Sequence, residues 1–175
     1  WIINPLSICD ELITYIESNQ NIQKRGVSLT GEDLEIKNTI DITIQPKNIS
    51  LPGNEVFEKY FHNLFSCYQE YVFEWPFLTT FAENLQIGNF NLQRYENGQH
   101  FQRIHAERTG LDTIHRVFAW MTYLNDVDVK DGGSTFFSHY DLEVQPKKGL
   151  TLIWPADWTH AHKGNILNAD CKYII

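Results

Sequence analysis

The feature that most constrains the fold of this chain is a change of rhythm near residue 88. From there to the end, short apolar or alternating runs follow one another: "GNFNLQRYE" (88–96), "RVFAWMTYLN" (116–125), "GLTLIWP" (149–155) and "CKYII" (171–175). Turn signals separate them at "ENG" (96–98), "DGG" (131–133) and "PKKG" (146–149). Many short strands joined by turns of this kind predict a sandwich or jelly roll. The aromatic content of 14% suits such β structure, and a deep aromatic-lined pocket, better than a helical bundle.

The first half reads differently. "SICDELITYIESN" (7–19) spaces Ile8, Leu12, Ile13 and Ile16 along one helical face, with Ser7 placed as an N-cap. "NEVFEKYFHNLFSCYQEYVFEW" (54–75) repeats apolar pairs at helical intervals, with Asn54 as its cap and Pro76 where a helix should end. Between them "NTIDITIQP" (38–46) alternates, as an edge strand would. The expectation is an α+β fold in one domain, residues 1–175: a supporting helical layer over about 1–87 and a β barrel over about 88–175.

Charge and composition narrow the functions. A net charge of −8 disfavours a nucleic-acid backbone as partner. No apolar run reaches membrane-spanning length and no signal-peptide pattern is present, so no membrane partner is expected. Cys9, Cys67 and Cys171 are scattered and odd in number, which reads as reduced thiols in a cytoplasmic protein. The start at Trp1 and the stop inside an apolar run read as trimmed ends.

Chemistry concentrates in two stretches. In "RIHAERTG" (103–110), His105 and Glu107 are separated by one residue, so on a strand both face one side. In "PADWTHAHKG" (155–164), His160 and His162 have the same spacing, and by the same rule both rings share a face. Two imidazoles and one carboxylate make the facial triad of non-haem ferrous oxygenases, which leaves three metal positions open. The spacing alone does not choose between His160 and His162.

The stretches "YENGQHFQRIHAE" (95–107), "YLNDVDVKDGGSTFF" (123–137), "VQPKKGLTLIWP" (144–155) and "HKGNILNADCKY" (162–173) together resemble the prolyl 4-hydroxylase branch of the 2-oxoglutarate- and iron(II)-dependent dioxygenases. The resemblance implies a double-stranded β-helix, or jelly-roll, barrel over about 88–175. It assigns the metal to His105, Glu107 and His162, because the distal histidine of the family precedes a basic residue by nine or ten positions and Lys172 follows His162 by ten. His160 is left as a neighbour one pleat away, a donor behind the ligands or a pocket wall.

The resemblance further implies that Lys172 pairs with the far carboxylate of 2-oxoglutarate, with Tyr95 and Tyr123 as hydroxyl donors to it and Thr135 assisting. Arg116, seven positions before Tyr123, matches an arginine that contacts the substrate peptide in related hydroxylases. His62, His100, His115 and His139 have no such context and read as structural or surface residues. The implied reaction consumes 2-oxoglutarate and O2 at Fe(II), with ascorbate as reductant, and releases succinate and CO2 while hydroxylating a proline-containing peptide or protein. Two other readings stand beside it: a dioxygenase acting on a free amino acid or small metabolite, and a metal-binding jelly-roll protein without turnover. The wording "WTHAHKGN" is similar to versions in bacterial and phage-encoded hydroxylases, so a microbial or viral origin, and then a host cytoplasm, fits. Glu107 stands where Asp is commoner and Ile166 where proline is frequent. Oligomeric state and target are not legible at this stage.

Overall fold

A computed structural model describes residues 1–28, 31–81 and 84–175. The two helical periods become α1 (Ser7–Ser18) and α2 (Glu55–Glu74), followed by a single turn, α3 (Leu78–Phe81). Each long helix buries one stripe: Ile8, Cys9, Leu12 and Ile16 in α1, and Phe57, Tyr60, Leu64, Cys67 and Tyr71 in α2. Neither expected cap forms. Ser7 is already helical, and the Asn54 side chain is engaged elsewhere. Its amide donates to the Asn48 carbonyl and its oxygen accepts from the Tyr15 hydroxyl, which ties α1 to the turn before α2.

Among the described residues, eleven strands follow one another: β1 (Lys24–Arg25), β2 (Lys37–Asn38), β3 (Ile40–Ile44), β4 (Phe90–Glu96), β5 (His100–His105), β6 (Phe118–Thr122), β7 (Thr135–Phe137), β8 (Leu142–Val144), β9 (Thr151–Pro155), β10 (His162–Gly164) and β11 (Cys171–Ile174). One sheet runs β1-β3-β4-β11, a second runs β2-β5-β10-β7-β8, and β6 pairs with β9. Backbone bonds between Thr122 and Ile175, and from Leu124 to Tyr173, attach the β6–β9 pair beside β11. The result is two facing antiparallel sheets in a jelly roll, with the helices against the outer face of the first.

Strand alternation divides the molecule into two cores. Phe90 and Leu92 of β4, with Ile42, Ile44 and Ile175, meet Leu12, Ile16, Phe57, Tyr60 and Leu64 on the helical side. Tyr95, Met121, Tyr123, Phe137, Trp154 and Ile174 form the second cluster, between the sheets. The opposite parity of β4, at Gln93 and Tyr95, therefore points into the barrel.

Two expectations are corrected here. The first half is not a helical layer alone, because β1, β2 and β3 join the barrel sheets. Nor is the alternating stretch an edge strand: β3 lies between β1 and β4, paired over its whole length with β4. The three cysteines are unpaired. Among the described residues, no helix is long and apolar enough to cross a membrane.

Candidate active site

Antiparallel register brings the first histidine pair together. His105 closes β5, His162 opens β10, and the two are direct partners across the ladder. Their ring centroids are 4.4 Å apart. Glu107, two residues past the end of β5, turns back so that Oε1 lies 3.8 Å from Nε2 of both histidines. Donor atoms of the three residues lie within 4.8 Å of one another, the one such group found among the described residues.

The rings are set for ligation. Nδ1 of His105 is 2.8 Å from the Arg103 carbonyl, and Nδ1 of His162 is 2.9 Å from the His160 carbonyl. A carbonyl only accepts, so each Nδ1 carries the proton and each Nε2 keeps its lone pair toward Glu107. Burial lowers the pKa of both imidazoles, that of His162 to about 4, with the mutual proximity of the rings adding to the effect at His162. Phe101 stacks on His105 at 3.9 Å, while Phe137 and Trp154 lie 5.4 and 5.1 Å from His162. Two neutral imidazoles and one carboxylate converging from a greasy wall fit a ferrous ion by donor type and number.

His160 does not share a strand face with His162, and that expectation is corrected. The chain makes a 3-10 turn over Trp158–His160, and the strand begins only at His162. The His160 ring turns instead toward the rim, its Nδ1 3.0 Å from the Thr159 hydroxyl and its centroid 5.1 Å from that of Tyr140. What it gives the triad is its backbone carbonyl.

Lys172 lies deep between the sheets, 2% exposed. Register places it opposite Tyr95, whose ring centroid is 3.9 Å from Nζ. Nζ donates to the Gly133 carbonyl at 2.8 Å and, among the described residues, forms no ion pair, so burial pushes the ammonium pKa down to about 7. Gly133 has φ +69°, and a Cβ there would stand 2.8 Å from a Leu167 methyl, so glycine is what allows the chain to pass close over Leu167. The Tyr123 hydroxyl is 2.6 Å from Thr135 Oγ1, and the bridge between Tyr123 and Ile174 puts this pair beside β11. Tyr95, Tyr123, Thr135 and Lys172 are all buried.

The sequence reading missed two features. Lys37 and Asp41 form a 2.7 Å ion pair, 5% and 7% exposed, that crosses from the second sheet to the first. Thr39 and Gln93 both donate to the other carboxylate oxygen. The second is a contact of Arg116, read from the sequence only as a substrate contact: its Nη1 lies 3.1 Å from Glu107 Oε2, the oxygen other than the one nearest the histidines.

Residues 90–175, just under half of the chain, match the family model of the 2OG-Fe(II) oxygenase superfamily. That segment is similar to a 2OG-Fe(II) oxygenase domain. The same chain is 27% identical over 101 residues to prolyl 4-hydroxylase subunit alpha-2 of Gallus gallus, a stretch covering 53% of this chain and 18% of that protein. The chain thus spans about a fifth of the length of the curated relative it matches. Among solved structures, the oxygenase fold is similar to a Trichoplax adhaerens prolyl hydroxylase in complex with a hypoxia inducible factor peptide fragment, with a TM-score of 0.75, 16% identity, and coverage of 99% of this chain and 80% of that one. A Pseudomonas putida prolyl-4-hydroxylase gives 0.70 at 15% identity, covering 98% and 85%. The viral collagen prolyl hydroxylase of Paramecium Bursaria Chlorella virus-1, in its 2OG complex, gives 0.59 at 20% identity, covering 97% and 87%.

Proposed function

We propose that this chain hydroxylates peptidyl proline, using Fe(II), 2-oxoglutarate and O2 and releasing succinate and CO2. The observation that carries the reading is the cross-strand pairing of His105 with His162 under Glu107, in the same barrel as a buried, ion-unpaired Lys172. In this proposal Nε2 of both histidines and Oε1 of Glu107 hold the metal, and Lys172 takes the far carboxylate of 2-oxoglutarate. The Tyr95 and Tyr123 hydroxyls, with Thr135, orient that co-substrate. Bound ferrous iron would supply the centre at which O2 and 2-oxoglutarate react to oxidise a C–H bond. The aromatic wall of Phe101, Phe137 and Trp154 keeps bulk water from the metal side.

Residues 1–175 act as one domain in this reading, since the first half supplies strands to both sheets. A proline substrate is supported by the prolyl hydroxylase identities of the chicken relative and the structural neighbours. The decisive assay incubates the protein with Fe(II), ascorbate, 2-oxoglutarate and a panel of proline-containing peptides. We expect succinate release above the peptide-free background and the gain of one oxygen on proline by mass spectrometry. Turnover stimulated by free amino acids or small metabolites, with no prolyl peptide active, would transfer the chemistry to another substrate. A protein that binds metal but responds to no co-substrate would be a binding module.

A further inference from the structure

We infer that Arg116 is the positioning residue that makes Glu107 a one-oxygen metal ligand, an inference that rests on the proposed roles of His105, Glu107 and His162. A carboxylate has two oxygens and can bind a metal through one or both. The difference decides whether the site works. Three protein donors leave three octahedral positions, and a chelating 2-oxo acid with O2 requires all three. A glutamate that swung both oxygens onto the metal would leave two, and a 2-oxo acid tethered at its far end by Lys172 would then have to displace Oε2 to reach its chelating positions.

Glu107 has one more rotatable bond than an aspartate, so its second oxygen has the freedom to come forward. Arg116 removes that freedom. Its Nη1 holds Oε2 at 3.1 Å and approaches the Glu107 carbonyl at 3.4 Å, while Oε1 stays 3.8 Å from both imidazoles. The arginine is itself braced. The Arg108 guanidinium donates through Nε to the Arg116 carbonyl at 2.9 Å and pairs with Asp157 at 3.0 Å. The backbone N–H groups of Thr109 and Gly110 both donate to Thr113 Oγ1, which folds the loop between the two arginines. The Arg116 side chain is 45% exposed, so the pair adds little to stability and its loss leaves the fold intact.

The test reads 2-oxoglutarate binding to the Mn(II)-loaded protein by calorimetry without turnover, beside Mn(II) affinity itself. Arg116→Ala should leave Mn(II) binding undiminished, since a nearby cation has been removed, yet weaken 2-oxoglutarate by about 10- to 100-fold, the usual scale for losing a ligand-holding partner. A crystal structure of that Mn(II)-loaded variant should show both Glu107 oxygens on the metal. In a Glu107→Asp background, whose shorter stem holds its second oxygen back, the same Arg116→Ala change should cost less than about threefold. An equal loss in both backgrounds would mean that Arg116 attracts the dicarboxylate by charge alone, and overturns the inference. So does unchanged 2-oxoglutarate affinity with only the peptide KM altered, which would make Arg116 a substrate contact. If the wild-type chain binds no Mn(II), or binds 2-oxoglutarate no better with Mn(II) than without, the ligand assignment itself falls and takes this inference with it.

Discussion

Lys172 is a cation buried without an anion, and its behaviour should show it. Between about pH 7, its pKa in the fold, and its ordinary value of 10.5, the unfolded chain holds a proton that the folded chain has lost. Stability from this group therefore rises with pH across that window, and the full cost of burying the charge applies below it. A bound dicarboxylate reverses the balance by favouring the ammonium. 2-Oxoglutarate affinity should be greatest below pH 7 and decline above it, with net proton uptake at about pH 8 seen by calorimetry in buffers of different ionisation enthalpy. Binding without uptake would remove Lys172 from the co-substrate site. Lys172→Ala should cost 2-oxoglutarate about 3–5 kcal/mol, two to three orders of magnitude or more, with Mn(II) affinity nearly intact. At this scale the convergence of His105, Glu107 and His162 and the burial of Lys172 were legible in the sequence, because their spacing is part of a recognisable order. Lys37 and Asp41 were not, since a lysine and an aspartate near an alternating run look like solvated residues until both sheets close over them. The contact between Arg116 and Glu107 spans a loop, where no period exists to reveal it.

Among elements, β5 and β10 decide which histidine of the "HAH" triplet matters. His162→Ala should abolish Mn(II) binding and turnover, because two remaining ligands hold a labile ion poorly. His160→Ala should keep both, since the contact that His160 makes with the His162 ring comes from its backbone carbonyl. A dead His160 variant beside an active His162 variant would reverse the assignment. The two-residue spacing rule failed at this triplet because it holds only within a strand, and the first histidine sits in a 3-10 turn. Where a strand is long enough, the rule worked: β4 sends Phe90 and Leu92 to the helices and Tyr95 into the barrel. β1 and β2, with two residues each, are too short to carry any period and could be found only from their partners.

In the whole molecule, the sheets extend beyond the matched segment 90–175 and take in strands upstream of it. β3 covers β4 along its length, β2 pairs with β5, and the helical core lies against the outer face of the same sheet. Residues 90–175 produced alone should aggregate, as judged by size-exclusion chromatography, because β4 then presents an unpaired edge beside an uncovered apolar face. A soluble, cooperatively melting fragment would show that the first half is dispensable. The pairing of β3 with β4 has a consequence for descent as well as for folding. If residues 90–175 do not fold alone, the segment that bears the proposed ligands is no free-standing module to be passed between genes, and each transfer has to carry the upstream strands with it.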